Sequence, residues 1–229
     1  MMKSYVLLLE IKRTLLLWGS RKSRDNQNVS MRNYRNVKIT IKHSEVFMKA
    51  LGTKQLKTKR LVLREFRKED IQSVYENYGS DPKENRFISF APCANLDSTK
   101  DFIAMHLQQY ETNPSFYGWA ITLNDEVIGS IGLFNVEEES EQCELGYSLG
   151  SRWWGNGYTT EAATEVLSYA FEQLKCHRIY ASHHIDNLAS GKVLVKIGMK
   201  EEGILRDAQK NMDGTFSDLR LYAKLSTDE

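Results

Sequence analysis

A short segment with two glycines and an arginine has the composition of an anion-binding turn. It reads R-W-W-G-N-G-Y from Arg152 to Tyr158 and separates a strand-like run, Cys143 to Leu149, from an amphipathic helix. Gly155 and Gly157 let the backbone approach a ligand closely, so that successive N–H groups and the positive end of the helix face a phosphate. Arg152 would add a forked contact to the same group. The segment therefore predicts an anion cradle.

The helix after the cradle is predicted from its apolar spacing. Apolar residues recur at i, i+3, i+4, i+7, i+8 and i+11 and would bury one face: Ala163, Val166, Leu167, Ala170, Phe171 and Leu174. The spacing R-x-x-G-x-G is neither the dinucleotide fingerprint G-x-G-x-x-G nor the P-loop, which needs G-K-[ST] after its glycines. Asn156 and Tyr158 occupy positions that exclude both. The alternative is an ordinary strand-to-helix turn whose glycines serve geometry alone.

The wider string from Gly146 to Ala162, G-Y-S-L-G-S-R-W-W-G-N-G-Y-T-T-E-A, resembles the pyrophosphate-binding motif of the GNAT acetyltransferases. It looks like the branch that contains the Rim-type ribosomal-protein N-terminal acetyltransferases, and the resemblance spans roughly Leu56 to Leu225. It implies acetyl coenzyme A (acetyl-CoA) as the acetyl donor. The cradle residues that it implies as donor contacts are Arg152, Trp154, Gly155, Asn156, Gly157 and Tyr158.

The order of the periodic segments predicts an α/β fold with a mixed, mainly antiparallel sheet and helices on both faces. It matches the GNAT layout of strand, two helices, three antiparallel strands, helix, strand, helix and strand pair. The expected strands are residues 60–65, 117–123, 127–135, 142–149, 178–183, 202–205 and 218–225. The expected helices are residues 69–78, 99–110, the cradle helix, and a short helix that Asn187 caps and that ends at Gly198.

The resemblance also implies where the rest of the donor binds. In GNAT proteins the strand before the cradle splays from its neighbour, and the pantetheine arm of the donor hydrogen-bonds to the unpaired strand backbone. Ser148, Leu149 and Gly150 match that edge in this chain. Asn187 stands in a segment similar to the family's N-x-x-S and is expected to contact the same arm, although a plain N-cap role explains it equally.

Two residues are candidates for proton transfer. Glu144 lies on the strand before the cradle, on the face opposite Leu145, and could take a proton from the attacking ammonium if burial raised its pKa. Its alternative is a surface carboxylate that pairs across the sheet. By resemblance, Ser190 or a nearby tyrosine would protonate the leaving thiolate; its alternative is a plain helical role.

Other chemistry-bearing side chains favour structural interpretations. Tyr147, Trp153 and Trp154 lie beside the expected cleft, where aromatic residues more often pack in the core than touch a ligand. His183 and His184 alternate across a strand with no further ligand at metal spacing, so no metal site is expected. His106 is interpreted as a histidine on a buried helix face. Cys176 has no neighbouring histidine or helix start, which disfavours a covalent mechanism.

Charge divides the chain into two regions. The chain has 229 residues and a net charge of +1, but residues 1–50 hold 11 Lys/Arg and 3 Asp/Glu, leaving 20 and 27 in residues 51–229. We interpret residues 1–50 as a basic, poorly ordered extension and residues 51–229 as the acetyltransferase domain. Alternatives for the extension are a membrane-surface or nucleic-acid arm, or upstream sequence carried into the reading frame, since Met48 begins what looks like a complete domain. The acidic body argues against nucleic acid as a partner and suits a cationic amine.

Cysteine content and hydropathy bear on the compartment. Three unclustered cysteines fit a reducing compartment, so a cytoplasmic protein is expected. No apolar stretch has the length of a membrane span or the form of a signal peptide, and no membrane partner is expected.

Together these patterns predict an N-acetyltransferase, a monomer or homodimer, in which an amine attacks the bound thioester directly. The expected acceptor is a protein N-terminal amine. The alternatives are a small amine such as a polyamine or aminoglycoside, and an inactive module that only binds acetyl-CoA. The first two helices and the loop between them, residues 87–98, are expected to shape the acceptor pocket, without a recognisable motif.

Overall fold

Eight strands form one sheet in the structure, a computed structural model that describes residues 48–87, 93 and 95–228. In chain order they are β1 (Leu56–Lys57), β2 (Val62–Arg64), β3 (Tyr117–Leu123), β4 (Glu126–Glu137), β5 (Gln142–Leu149), β6 (Arg178–His184), β7 (Lys200–Lys210) and β8 (Phe216–Leu225). Their spatial order is β1-β2-β3-β4-β5-β6-β8-β7. Every neighbouring pair is antiparallel except β5 and β6, which are parallel.

Among the described residues, four helices connect the strands, and two short 3-10 helices lie at Asn85–Phe87 and Ser151–Trp153. Helix α1 starts as a 3-10 turn at Lys68–Asp70, continues as α-helix at Ile71–Val74 and ends in a π-helical segment at Tyr75–Gly79. Helix α2 is Leu96–Thr112, helix α3 is Tyr158–Tyr169 with a π-helical end at Ala170–Leu174, and helix α4 is Leu188–Lys196. None of the described helices is long and apolar enough to cross a membrane.

Alternation along the central strands divides the core between the two faces of the sheet. Trp119 and Ile121 on β3 belong to the larger cluster, which also contains Val166 of α3 and Leu194 of α4. Ala120, between them, belongs to the smaller cluster with residues of α1 and α2. Helices α1 and α2 therefore cover one face, and α3 and α4 cover the other, as the predicted fold class requires.

Most predicted elements are confirmed, with corrections at the edges. The first strand is shorter than expected, Val62–Arg64, and the unpredicted β1 precedes it. The expected strand at residues 202–205 is part of the longer β7, which has two irregular positions against β8. Helix α2 begins earlier than expected because Asn95 caps it by accepting a hydrogen bond from the Ser98 N–H (2.9 Å).

The start of the described chain is packed onto this fold. Met48 is buried in the larger cluster, and the Lys49 N–H donates to the Leu174 carbonyl (2.8 Å). Residues 48–50, which the charge pattern assigned to the extension, thus contact the domain. Residues 1–47, and with them the predicted disorder of the extension, lie outside the described residues.

A buried ion pair ties β2 to α1. Both guanidinium nitrogens of Arg64 donate to the Asp70 carboxylate, at 2.7 and 2.8 Å, and the Arg67 N–H donates to it as well (2.7 Å). Arg64→Ala would leave a buried carboxylate without its cation, and we expect the free energy of unfolding to fall by about 3–5 kcal/mol. Urea denaturation at pH 7 measures this. Lys100→Ala, which breaks the exposed Lys100–Asp97 pair, is the control and should change little; equal losses in the two variants would contradict the argument.

Candidate active site

The parallel strands β5 and β6 stay together for three residue pairs and then separate. Their pairs are Gln142 with Arg178, Cys143 with Ile179, and Glu144 with Tyr180. Beyond these, β5 pairs only with β4, as far as Leu149 opposite Gly129, and β6 pairs with β8. A wedge-shaped gap therefore opens between β5 and β6 towards the C-terminal end of β5, as the resemblance implied.

The backbone groups of β5 that face this gap follow from the antiparallel ladder. The Gly150 N–H donates to the Ile128 carbonyl (3.0 Å), so Gly150 and every second residue before it direct their backbone groups to β4. Tyr147 and Leu149 consequently direct theirs into the gap. Of the three residues expected at this edge, only Leu149 offers its backbone N–H there, while Ser148 and Gly150 use theirs inside the sheet.

The cradle has a backbone conformation that glycine adopts more readily than other residues. Gly155 and Gly157 have φ angles of +77° and +78°, in the left-handed region that side chains disfavour. Gly157 is the N-cap of α3 and has no side chain to occupy the N–H groups of the first turn. A Cβ built on Gly155 meets no atom within 4 Å, so the space in front of the turn is open. These free N–H groups and the helix dipole suit a phosphate group.

The side chains of the cradle mainly hold its shape. Asn156 donates through Nδ2 to the carbonyls of Trp153 and Trp154, both at 3.1 Å. Trp154 is 47% exposed and donates through Nε1 to the Leu149 carbonyl (2.6 Å). Asn156 thus braces the turn, and Trp154 fixes the end of β5.

Arg152 is directed to partners other than the cradle. Its Nη2 donates to Asn77 Oδ1 (2.7 Å) and to Glu126 Oε1 (3.2 Å), and its guanidinium lies over the Trp153 ring, 4.2 Å from the centroid. Among the described residues that line the cleft, Arg152 does not occur. A phosphate contact by Arg152 would require it to leave these partners, and it stays a prediction.

A second arginine supports the cradle from behind. Arg60 donates to the Asn156 carbonyl (3.0 Å), pairs with Glu161 (2.7 Å) and lies over the Tyr158 ring at 4.4 Å. Burial raises the pKa of Glu161, but hydrogen bonds from Thr58 and Arg60 outweigh it and leave that pKa below its ordinary value. The glutamate of the T-E-A string after the cradle, Glu161, therefore serves to hold Arg60 and Thr58. The local sequence pattern did not reveal this role.

The gap and the cradle open into one cleft of about 850 Å³. Its lining includes most of the residues that the sequence singled out: Glu144, Ser148, Leu149, Trp154, Gly155, Gly157, Tyr158, Asn187 and Ser190. Predicted donor-binding and catalytic residues from β5, α3 and α4 therefore share one surface.

Helix α4 brings a serine and a tyrosine together across the gap. Asn187 caps the helix by accepting from the Ser190 N–H (3.2 Å), as predicted. The Tyr147 hydroxyl lies 2.8 Å from Ser190 Oγ. Burial raises the pKa of Tyr147, and the hydrogen bond with Ser190 lowers it. Burial has the larger effect, so the pKa is about 12. The pair is a protonated hydroxyl relay, which suits a proton donor rather than a base.

Glu144 lies farther down the gap, where β5 and β6 still pair. Its carboxylate accepts a hydrogen bond from Asn135 Nδ2 (2.7 Å) in an exposed position. The cross-strand pairing that was the alternative to a catalytic role is therefore present. Glu144 nevertheless also lines the cleft.

Glu84 is a second carboxylate in the cleft, and the sequence patterns did not single it out. It follows α1 and accepts a hydrogen bond from Ser148 Oγ (2.5 Å). Burial raises the pKa of Glu84 to about 7, with Ser148 opposing and Asp81 adding to the shift. Its neighbour Asp81 accepts from the Ser151 N–H (2.7 Å), so the loop after α1 is bonded to both sides of Leu149.

A second cavity of about 580 Å³ meets the cleft at Glu84. We call it the aromatic cavity; it lies between α1, α2 and the sheet, and its aromatic lining consists of Phe66, Tyr78, Phe102, His106, Phe116, Phe134 and Tyr147. Glu84, Gly146, Tyr147 and Ser148 line both spaces. His106 is buried, as expected, and burial lowers its pKa. The cleft includes the cradle and suits the phosphate-bearing reactant, whereas the aromatic cavity has no cradle residue in its lining. The two spaces are therefore suited to different reactants.

Comparison with known proteins agrees with this site. A family profile described as an acetyltransferase (GNAT) domain matches residues 60–200. The chain belongs to the GNAT acetyltransferases. It is 30% identical over 174 residues to an uncharacterized N-acetyltransferase, p20, of Bacillus licheniformis, covering 76% of this chain and 97% of that protein. The resemblance predicted from Gly146 to Ala162 is confirmed.

Two further relatives extend the comparison. The [ribosomal protein uS5]-alanine N-acetyltransferase of Escherichia coli (strain K12) is 36% identical over 104 residues, which are 45% of this chain and 53% of that protein. The solved acetyltransferase (GNAT family) from Bacillus anthracis is 26% identical, with a TM-score of 0.65, over 76% of this chain and 99% of that chain. The similarity to the E. coli enzyme also supports the predicted likeness to the Rim-type branch.

This GNAT protein is an acetyl-CoA-dependent acyltransferase, and its cleft fits that donor. The free N–H groups of the cradle, at a helix N-terminus, suit a pyrophosphate, and the unpaired strand N–H of Leu149 suits an extended amide-containing arm. Among the residues that the structure describes, no group of three or more His, Cys, Asp or Glu side chains could hold a metal.

The cradle assignment predicts the effect of a carboxylate at Gly155. Gly155→Asp should weaken acetyl-CoA binding at least about 10-fold, because a negative charge there repels the pyrophosphate. Isothermal titration calorimetry measures this. Gly214→Asp is the matched control: Gly214 also has a positive φ, +86°, and open space, but lies in the turn between β7 and β8. Equal affinity of wild type and Gly155→Asp would reject the assignment.

Proposed function

We propose that this GNAT enzyme acetylates the N-terminal amine of a protein by direct attack on the bound donor. One observation carries the proposal: the aromatic cavity and the donor cleft share the lining residues Glu84, Gly146, Tyr147 and Ser148, so an acceptor amine held in the cavity would lie beside the end of the donor arm. The similarity to the E. coli enzyme that acts on ribosomal protein uS5 supports a protein N-terminus as acceptor.

Direct attack needs a base for the ammonium proton. The donor supplies a thioester carbonyl as electrophile and a thiolate as leaving group. We assign the proton acceptor to Glu84, because it lies where the two cavities meet and its pKa of about 7 suits proton transfer at neutral pH. Glu144, on the same cleft, is the alternative base.

The remaining roles fall to groups in the gap. The backbone N–H of Tyr147 faces it and would stabilise negative charge that develops on the carbonyl oxygen, while the N–H of Leu149 is left for the donor arm. The hydroxyls of Ser190 and Tyr147 form the relay that would return a proton to the thiolate, with Ser190 as the predicted donor. Asn187 orders this end of α4 and is proposed to contact the donor arm.

The proposal includes a cytoplasmic location, with neither nucleic acid nor a membrane as a partner. The three cysteines at positions 93, 143 and 176 are unpaired and buried, which suits a reducing compartment. A monomer or homodimer remains the proposed assembly. The second candidate function is acetylation of a small amine, because the aromatic cavity is large enough to enclose one. An inactive acetyl-CoA-binding module is the third.

The base assignment predicts different effects at the two carboxylates. Glu84→Gln keeps a hydrogen-bond acceptor for Ser148 but removes the base, so kcat should fall by about 10²–10⁴-fold with unchanged acetyl-CoA affinity. Glu144→Gln is the matched control and should keep most of the rate. Thiol release measures kcat. A large loss in Glu144→Gln alone would transfer the role to Glu144, and full activity of both variants would refute a carboxylate base.

The pH profile supplies an independent check. Because the base acts in its charged form, kcat/KM of the wild type should rise with pH through about 7, the pKa of Glu84. Glu84→Gln should lose this limb and keep only the ionisation of the acceptor amine, near ~8 for an α-amine. A limb near 7 that persists in Glu84→Gln would show that another group titrates.

The same carboxyl group should make folding stability depend on pH. Its pKa in the folded protein, about 7, lies above the ordinary 4.5, so the folded state binds the proton more tightly. Its contribution is therefore fully present below pH 4.5 and is lost as pH rises through about 7. Urea denaturation should show that Glu84→Gln gains stability relative to wild type between pH 5 and pH 8; a constant difference would contradict the shifted pKa.

A further inference from the structure

The aromatic cavity combines a large apolar interior with few charges. Phe66 and Phe116 pack edge-on against His106, whose Nδ1 bonds to the Phe102 carbonyl (2.9 Å). Its charged lining among the described residues consists of Glu84 and Asp101, with no lysine or arginine. Such a space favours a ligand that is mostly apolar and carries one positive group.

The two acidic residues of the cavity lining, Glu84 and Asp101, differ in exposure to solvent. Glu84 is partly buried and lies at the cavity's junction with the donor cleft, whereas Asp101 is exposed on α2. An ammonium group therefore has one sheltered carboxylate to approach, and that carboxylate is next to Ser148, at the end of β5. The rest of the acceptor can then pack against the aromatic walls of the cavity.

We propose that the aromatic cavity selects a primary amine borne beside a bulky apolar or aromatic group. The ammonium lies at Glu84 and the apolar group lies between Phe102, Met105 and Phe134. This inference rests on the proposed function and specifies the acceptor of the same site.

Size and charge separate this class from the other acceptors. A methyl group, as in an N-terminal alanine, would leave most of the 580 Å³ unfilled and gain little from the aromatic walls. A polyamine or aminoglycoside would bring several positive charges to a cavity with one sheltered carboxylate, and burying unpaired charge is costly. Two kinds of molecule carry a primary amine next to a bulky apolar group. One is a protein N-terminus with a large apolar first residue, and the other is a free arylalkylamine.

The experiment compares acceptors that differ only in that group. Two hexapeptides that begin with Phe or Ala and are otherwise identical, together with phenethylamine and spermidine, are assayed by thiol release. We expect kcat/KM for the Phe peptide to exceed that for the Ala peptide at least about 10-fold. A preference for phenethylamine over both peptides would keep the proposed class and identify a free amine as its source. Equal rates for the Phe and Ala peptides, or a preference for spermidine, would overturn the inference.

A methionine pair tests whether the aromatic cavity causes the preference. Met105 is 42% exposed and lines the cavity, and Met212 is 59% exposed in the β7–β8 turn. Met105→Ser should reduce the ratio of kcat/KM for the Phe peptide to kcat/KM for the Ala peptide several-fold, and Met212→Ser should leave this ratio unchanged. An unaltered ratio in Met105→Ser would contradict the assignment.

Binding without turnover separates this inference from the proposed function. Phenylalanine amide and alanine amide are titrated by calorimetry into the protein saturated with coenzyme A, which carries no acetyl group. Tighter binding of phenylalanine amide, at least about 10-fold, supports the inference even if no amine is acetylated, a result that would refute the enzymatic proposal alone. Equal affinities would overturn the inference even if acetylation occurs.

Discussion

The early end of the pairing between β5 and β6 is the constraint on which the active site depends. Each strand is paired on its other side, β5 with β4 from Glu144 to Leu149 and β6 with β8 along its whole length, so both can diverge without losing the sheet. Backbone groups of Tyr147 and Leu149 are left without a strand partner, and such an edge readily accepts an extended ligand. The hydrogen bond between Tyr147 and Ser190 spans the gap and fixes the distance between β5 and α4.

The cradle and the acceptor side are both attached to the end of β5. Gly150 allows this: a Cβ there would lie 2.0 Å from the Asn77 carbonyl oxygen, so only glycine lets the end of α1 approach β5 so closely. Asp81 then holds Ser151, and Glu84 holds Ser148. The loop after α1 therefore positions a carboxylate beside the strand that binds the donor. Four consecutive residues, Ser148 to Ser151, therefore connect the cradle to the proposed acceptor site.

Local patterns predicted those parts of the site that local geometry determines. The bounds of β5 and the capping of α4 by Asn187 follow from short stretches of sequence. Edge strands were less predictable, because β1 has two residues and β7 has little burial to enforce an alternating pattern.

Long-range contacts could not be predicted in this way. Glu84 bonds to Ser148 across 64 positions, and Arg60 bonds to Glu161 across 101. Neither carboxylate differs locally from a surface residue, and only the fold gives them partners. Arg152 illustrates the same limit: its position in the motif indicated a phosphate contact, while the fold provides Asn77 and Glu126 as partners. Glu161 stands in the T-E-A string that resembles the family motif. Its role in holding Arg60 behind the cradle, however, is visible only in the folded protein.

The most direct test of the account is a crystal structure of the protein with coenzyme A. The account predicts pyrophosphate oxygens within hydrogen-bond distance of backbone N–H groups between Gly155 and Thr160, the pantetheine arm in the gap beside Leu149, and the sulfur between Ser148 and Ser190. A pyrophosphate bound away from this turn, or an arm that lies outside the gap between β5 and β6, would contradict it.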